Sequence, residues 1–336
     1  MKKITYKSVG VDISNADKFV EGLKPFMSLT GTDTNNNTWS GFANVFSLPY
    51  RNGRDICLVT CCDGVGTKVL LAKTTKDRIT IGIDVVAMCV NDCITTGAAP
   101  LLFLDYFATG KLNNEYATDI IRGIARGCHL AGCRLVGGET AELPHLFRKS
   151  DYDVAGFNVG YAEAKDIITP NVKEGQIVWG FTSNGVHSNG FSLINKIVKK
   201  RKKTPDSLLK PTIIYVPHIK ELLKTVKVSG MAHITGGGLP GNLVRILPPD
   251  VDIVLEESKW KEQSIFRWIE KFGPVSEKEM FNTFNMGIGF VFITPKNYLD
   301  KVKTFSKKKY RCFLIGETIP GTGKVRIITR KGNIIC

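Results

Sequence analysis

At 336 residues, with 43% hydrophobic and 23% charged side chains, the chain has the size and make-up of a soluble protein of two domains, with a core large enough to need no disulfide or metal staple. No stretch reaches the ~18 uninterrupted apolar residues of a membrane span, and the basic start at Lys2 and Lys3 is not followed by the apolar run of a signal peptide. The net charge of +15 is lopsided: residues 1–165 hold 18 Lys and Arg against 17 Asp and Glu, whereas residues 166–336 hold 28 against 14.

Asp12 or Ser14 can cap a first helix through "NADKFVEGLKPFM". The polar "SLTGTDTNNNTWSG" that follows reads as a loop. "ICLVTC" has the β-branched, apolar content of a buried strand, and "DGVGTK" opens a helix through "VLLAK". "ITIGID" leads into an apolar helix, "VVAMCVNDCITT", that Gly97 ends. "LLFLDYFAT" is a strand, "NNEYATDIIRGIARGCHLAG" an amphipathic helix with an Asn cap and a Gly stop, and "RLVGGET" and "YDVAGFNVGYAE" are further strands. The polar, turn-rich "AKDIITPNVKEGQ" sets a boundary near 165, so the expected fold is α/β with two domains, 1–165 and 166–336.

The second half repeats the style. Strands "IVWGFT", "MAHIT", "GIGFVFIT" and "RCFLIGET" alternate with helices "GFSLINKIVKK", "YVPHIKELLKTV", "LPGNLVRIL", "QSIFRWIEKF" and "NYLDKVKTFSK". Its basic runs, "KIVKKRKK" and "FSKKKYR", lack the interleaved aromatics of a single-strand binder and read as solvated surface, so no nucleic-acid partner is expected. The nine cysteines are odd in number, include no CxxC and sit mostly in apolar runs. That pattern fits neither a disulfide framework nor a zinc site and suits a reducing cytoplasm.

Three segments set polar residues beside buried strands or inside apolar helices. In "TCCDGVGTK", Gly64 and Gly66 let backbone amides approach an anion, and Lys68 starts a helix; a plain turn with Asp63 as a cap explains the same residues. In "DVVAMCVND", Asp84 is explained as a helix N-cap, but Asp92 is a carboxylate in an apolar helix. It needs a cation, a lysine or a metal ion to offset burial. Asp84 and Asp92 lie eight residues apart, about two turns, and so share one side of the helix. Such hard oxygen donors suit Mg²⁺ accompanying a nucleotide's phosphates. In "LVGGETAELP", Gly137 and Gly138 are expected to end the strand and leave Glu139 and Thr140 on a loop, where Glu139 is either a ligand or a helix-start residue. His187 in "SNGVHSNGFSL" and His233 in "MAHITGGGLPGN" each stand beside Gly, Ser or Asn at a turn, and "FNTFNMGIGF" precedes a strand with two asparagines.

Taken together, "YKSVGVDI", "DGVGTK", "IGIDVVAMCVNDCITTGAAPLLFLDYFATGKL", "LVGGETAELP", "YDVAGFNVGYAE", "SNGVHSNGFSL", "AHITGGGLPGN" and "TFNMGIGF" resemble, in order, the phosphoribosylformylglycinamidine cyclo-ligase (aminoimidazole ribonucleotide synthetase) family. The resemblance implies an ATP- and Mg²⁺-dependent closure of formylglycinamidine ribonucleotide to aminoimidazole ribonucleotide, with ADP and phosphate released. It also implies a homodimer built through a mixed sheet of the N-terminal domains, with an α/β sandwich behind it. Carried over motif by motif, it makes His187, Lys68 and Asp92 the catalytic set and gives Mg²⁺ to Asp63, Asp84 and Asp92. The nucleotide and substrate contacts then fall to Asp63, Gly64, Gly66, Thr67, Lys68, Asn91, Gly138, Glu139, Thr140, Asn189, Gly190, His233, Gly236 and Gly237. Departures from the family pattern lie in "NNNTWSGFANVF", where only Gly41, Phe42 and Ala43 match, in the shortened basic stretch 199–211, and after about residue 291. Cys336 sits where a related hydrogenase-maturation protein keeps a reactive C-terminal cysteine, but without the arginine and proline that precede it there.

Overall fold

The structure, a computed structural model, describes residues 4–23, 26, 29, 41–48, 55–75, 78–201, 204–308 and 310–335. Most of the loop expected at 28–41, part of the basic stretch 199–211, and Cys336 lie outside the described residues. In the first half, α1 (Ile13–Glu21) starts where Asp12 Oδ1 accepts from Asn15 N at 3.3 Å. Strands β1 (Asn44–Leu48) and β2 (Ile56–Gly64) follow, then a short α2 (Lys68–Ala72) and the long α3 (Ile79–Ile94). β3 (Ala99–Thr109), α4 (Asn114–Ala131), β4 (Arg134–Glu142) and β5 (Tyr152–Glu163) complete the unit. The sheet order is β1-β2-β5-β3-β4, antiparallel except for the parallel pair β3/β4.

Helices α3 and α4 cover one face of this sheet. They cross with almost no space between backbones: a Cβ on Gly82 would lie 2.1 Å from Ile120 O, and one on Gly123 would lie 2.1 Å from Ile79 O. Two sequence expectations change here. "ITIGID" belongs to α3 itself, because burial of Ile81 and Ile83 overrides their modest helix propensity, so Asp84 sits inside the helix and is not its N-cap. β4 also continues through Gly137 and Gly138 to Glu142, since pairing with β3 supplies the ladder bonds that a strand requires.

The second half contains β6 (Ile177–Thr182), α5 (Phe191–Val198), α6 (Val216–Leu223), β7 (Gly230–His233), α7 (Gly238–Leu243) and β8 (Val251–Glu256). It continues with α8 (Ser264–Phe272), α9 (Glu277–Thr283), β9 (Ile288–Thr294), α10 (Leu299–Lys308), β10 (Cys312–Pro320), β11 (Val325–Thr329) and β12 (Gly332–Ile335). The seven strands run in the order β12-β11-β8-β10-β6-β9-β7. β6 and β9 are apolar and buried almost throughout because helices and neighbouring strands enclose both faces.

The two halves meet along α3. Lys68 and Asp84 form a 2.6 Å ion pair with no exposed side-chain surface on either partner. Lys68 Nζ also donates to the carbonyls of His187 and Lys210, each at 2.9 Å. Asp84 Oδ1 accepts from Ser188 Oγ at 2.9 Å and from Thr212 N and Oγ1 at 2.7 Å each. Two turns along the helix, Asn91 donates to Ile213 O and accepts from Tyr215 N, both at 2.8 Å. Every one of these partners of Lys68, Asp84 and Asn91 beyond α2 and α3 belongs to the second half.

Removing one member of such a buried pair strands the other's charge, at a cost of about 3–5 kcal/mol. Lys68→Met should lower unfolding free energy by that order in urea titrations. The double variant Lys68→Met/Asp84→Asn, which removes the stranded charge, should be more stable than the single one. A Lys68→Met protein as stable as the parent would show that this pair, which lies within the first half, and the bonds Lys68 makes to the second half add nothing to stability.

Candidate active site

Asp63 lies at the last turn of β2, on the same inward side as buried Val59 and Cys61. Gly64 N donates to its Oδ1 at 2.7 Å. Burial raises the Asp63 carboxyl to about 7, and the nearby Asp92 carboxylate adds to the rise, against the pull of Gly64 N and His233. Two carboxylates of unlike parentage, one from a strand end and one from α3, are thus brought within electrostatic reach of each other.

Behind Asp92 stands His233, fully buried, with Nδ1 2.8 Å from Asp92 Oδ1 and Nε2 3.3 Å from Asn91 Nδ2. The Asn91 amide is oriented by its bonds to Ile213 O and Tyr215 N, so its Nδ2 can only donate to the histidine. Nε2 therefore carries the lone pair and Nδ1 carries the proton given to Asp92. His233 was expected to line the cleft; its 0% exposure instead makes it the group that aims Asp92, which keeps 17% of its side chain exposed.

The buried clamp corrects two further expectations. Asp84 is not available to a metal, because its carboxylate is saturated by Lys68, Ser188 and Thr212. Lys68, at 0% exposure, is committed to that carboxylate and to two carbonyls and does not face a phosphate site. The backbone of the "DGVGTK" turn remains accessible. Gly66 has φ +53°, a conformation suited to glycine, with open space where a Cβ would stand. Thr67 is exposed, with its hydroxyl 3.1 Å from Ser192 Oγ and its carbonyl accepting from Asn195 Nδ2.

His187 adopts φ +59° and is fully buried, and neither ring nitrogen has a hydrogen-bond partner among the described residues. Burial, then His233 and Lys68, push its pKa well below the ordinary histidine value, so the ring is neutral. It packs where Gly289 has no side chain: a Cβ there would lie 2.5 Å from His187 Cε1 and 2.2 Å from Tyr215 Oη. A strained backbone carrying an unpartnered imidazole is a costly arrangement that functional sites tolerate.

The glycine turns of the second half converge. A Cβ on Gly190 would lie 2.1 Å from the Phe284 ring, and one on Gly238 would lie 1.8 Å from Phe281 O, so both turns are wedged against 281–284. This brings Asn189 Oδ1 to 3.7 Å from where a Gly236 Cβ would stand, with Gly237 adjoining at the start of α7. Asn285, in the same segment, bonds Ser183 Oγ and Gly185 O and serves the turn.

Gly138, Glu139 and Thr140 are not brought to this group within one chain. Asp63, Gly156, Asp105 and Gly138 sit side by side across four strands, which separates the first from the last by roughly 14 Å. Gly138 leaves room for the buried Asp105, whose Oδ1 would be 2.5 Å from a Cβ there. Glu139 and Thr140 are exposed on the edge strand.

Several contributors were invisible to the motif reading. Tyr6 Oη accepts from Gly190 N at 3.1 Å, and Tyr6 N donates to Glu279 Oε1 at 2.6 Å, which gives "YKSVGVDI" a place against the second half. Ser188 stood inside a quoted motif without a role, whereas Thr212 and Tyr215 lie in "PTIIY", which has no spacing that marks it.

Among the described residues no group of three or more His, Cys, Asp or Glu side chains is placed to hold a metal. Asp63 and Asp92 alone fit Mg²⁺: two hard, mutually repelling oxygen donors suit an ion that keeps waters and phosphate oxygens for its other positions.

Comparison with known proteins is consistent along the whole chain. The N-terminal domain model of AIR synthase related proteins matches residues 43–162, and the C-terminal domain model matches residues 173–328. The phosphoribosylformylglycinamidine cyclo-ligase of Thermodesulfovibrio yellowstonii is 47% identical over 333 residues, spanning 95% of this chain and 97% of the relative. That of Thermoanaerobacter pseudethanolicus is 44% identical over 337 residues, spanning 96% and 99%. Hydrogenase maturation protein HypE, solved in complex with ATP, superposes with a TM-score of 0.66 at 15% identity, covering 86% of this chain and 85% of that one, which is a likeness of fold. With both domain models matched and nearly half its residues shared over the full length of such relatives, the chain belongs to the phosphoribosylformylglycinamidine cyclo-ligase family.

Proposed function

We propose that the chain closes the imidazole ring of formylglycinamidine ribonucleotide at the expense of ATP, yielding 5-aminoimidazole ribonucleotide, ADP and phosphate. The observation that carries this reading is the identity of 47% across 95% of the chain to a cyclo-ligase, with the Asp63–Asp92 pair as its physical counterpart. A formyl oxygen is a poor leaving group. Transfer of the γ-phosphoryl group to it creates a good one, and the amidine nitrogen attacks the same carbon as phosphate departs. Phosphoryl transfer of this kind asks the protein chiefly for position and charge neutralisation.

The residues divide that work. Asp63 and Asp92 would hold Mg²⁺, which neutralises charge on the ATP phosphates when bound. His233 and Asn91 fix the direction in which Asp92 points. The exposed backbone at Gly66 and Thr67 would offer amides to phosphate oxygens. A ring lone pair of neutral His187 would take up the proton that the attacking nitrogen loses, a role that requires substrate binding to uncover this fully buried imidazole and to raise its depressed pKa.

The same reading includes a homodimer. Phe46 and Leu48 of β1, Phe157 and Tyr161 of β5 and Leu104 and Tyr106 of β3 are exposed on the face of the first sheet that α3 and α4 leave bare, and the partly exposed Ile56 and Leu58 of β2 lie between the first two groups. A contiguous apolar face of this breadth marks an association surface. The eight described cysteines are free, which suits a cytoplasmic location, and no helix among the described residues is long and apolar enough to cross a membrane.

Supplied with formylglycinamidine ribonucleotide and Mg-ATP, the protein should form aminoimidazole ribonucleotide in step with ADP; ADP release without the aminoimidazole would refute the ring closure. Asp92→Asn keeps an acceptor for His233 and should leave the fold intact while weakening Mg-ATP binding by about tenfold or more in calorimetry. Phe157→Arg should shift the sedimentation of the protein from dimer to monomer, and an unaltered dimer would move the interface elsewhere.

A further inference from the structure

A cavity of about 660 Å³ opens between the carboxyl end of β6 and the start of α8 and takes no part in the chemistry described above. Its wall is cationic. Lys210, Lys261, Arg267 and Arg311 line it with a single carboxylate, Glu262, which is already engaged by Arg267 Nε at 2.8 Å. No ion pair among the described residues neutralises Lys210, Lys261 or Arg311. The backbones that carry two of these cations are fixed: the Lys210 carbonyl accepts from Lys68 at 2.9 Å, and the Arg311 carbonyl accepts from Thr182 N at 3.5 Å.

The helix at this cavity is nine residues long and has no side-chain cap. Gln263, at the N-cap position, turns its amide to Ser183 O and Ser183 Oγ, at 2.5 and 3.1 Å, and leaves the first-turn residues Ser264 and Ile265, which line the cavity, without a side-chain cap. Uncapped first-turn amides favour a negative charge. Asn184 adds a different signal. Its Nδ2 is spent on Pro211 O at 3.0 Å, while its Oδ1, buried at the cavity wall, has no donor among the described residues. An anion cannot serve that oxygen, but a hydroxyl on the same ligand can.

We propose that this cavity binds a sugar monophosphate. The phosphate lies on Lys261, Arg311, Lys210 and the first amides of α8, and a sugar hydroxyl donates to Asn184 Oδ1. Two sources share this chemistry: the phosphoribosyl end of the ribonucleotide substrate, or a free sugar phosphate acting as an effector. Binding at the cavity does not depend on the ring-closing reaction; only the choice between the two sources does.

The test uses the full-length protein, with ribose 5-phosphate as the probe and ribose as its uncharged control, by calorimetry at constant ionic strength. Ribose 5-phosphate should bind and ribose should not. The variant Lys261→Glu/Arg311→Glu, which alters two exposed side chains, should weaken ribose 5-phosphate by roughly tenfold or more while Mg-ATP binds as in the parent. An absence of binding to the parent protein, or equal affinity in both proteins, overturns the proposal. In turnover assays, a matching rise in KM for formylglycinamidine ribonucleotide in the variant assigns the cavity to the substrate's own phosphate. An unchanged KM, with binding of ribose 5-phosphate still lost, assigns it to a separate effector. A protein that binds the probe but forms no aminoimidazole would refute the proposed reaction and leave the site standing.

Discussion

Three polar side chains along one helix, two fully buried and the third partly so, organise this molecule. Asn91 and Asp92 follow Asp84 by about two helical turns, so α3 presents an apolar surface to its own sheet and to α4 and a polar stripe to the second half. None of the three could be left there alone, because an unpaired buried charge or amide costs several kcal/mol. Each is met: Asp84 by Lys68, Ser188 and Thr212, Asn91 by the 213–215 backbone, and Asp92 by His233. Domain docking and the orientation of a candidate metal ligand therefore depend on one stripe of hydrogen bonds.

This division separates residues that share a motif. In "DGVGTK" the carboxylate and the glycines face the candidate site, while the lysine a few positions later is sealed inside the domain junction. In "DVVAMCVND" the first carboxylate is structural and the last remains partly accessible. Electrostatics sorts them. Asp84 lies against a fixed cation, whereas Asp63 and Asp92 repel one another and have no lysine or arginine paired with them among the described residues. The sulfhydryl-rich packing around Cys61, Cys89 and Cys93 fills the space beneath this pair with small apolar groups.

Much of this was legible in the residues alone. The strand-helix alternation, the strands "IVWGFT" and "GIGFVFIT" and the capped helix after Asn113 follow from local pattern, and the structure contains them. Asp92 stood out because nothing local explains a carboxylate among Val, Met and Cys. What local pattern could not supply was the partner. Lys68 pairs with Asp84 sixteen residues along the chain, and Thr212 reaches it from 128 residues away, separations on which motif spacing is silent. The continuation of β4 through two glycines, and the helical start of "ITIGID", were decided by neighbours in space over local preference. β1, β8, α9, β11 and β12 escaped notice because they are short, and β8 carries Asp252 as its second residue, paired with Arg326 of β11.

The bonds that Lys68, Asp84 and Asn91 send to the second half also limit how the enzyme can breathe. Swinging the halves apart would pull a lysine, a carboxylate and an asparagine amide from their partners at once. If that costs about 4 kcal/mol, roughly one molecule in a thousand is open at any instant. Ligands must then enter and leave through rearrangement of surface loops around a rigid junction, so turnover would be paced by short segments and would be insensitive to any domain hinge.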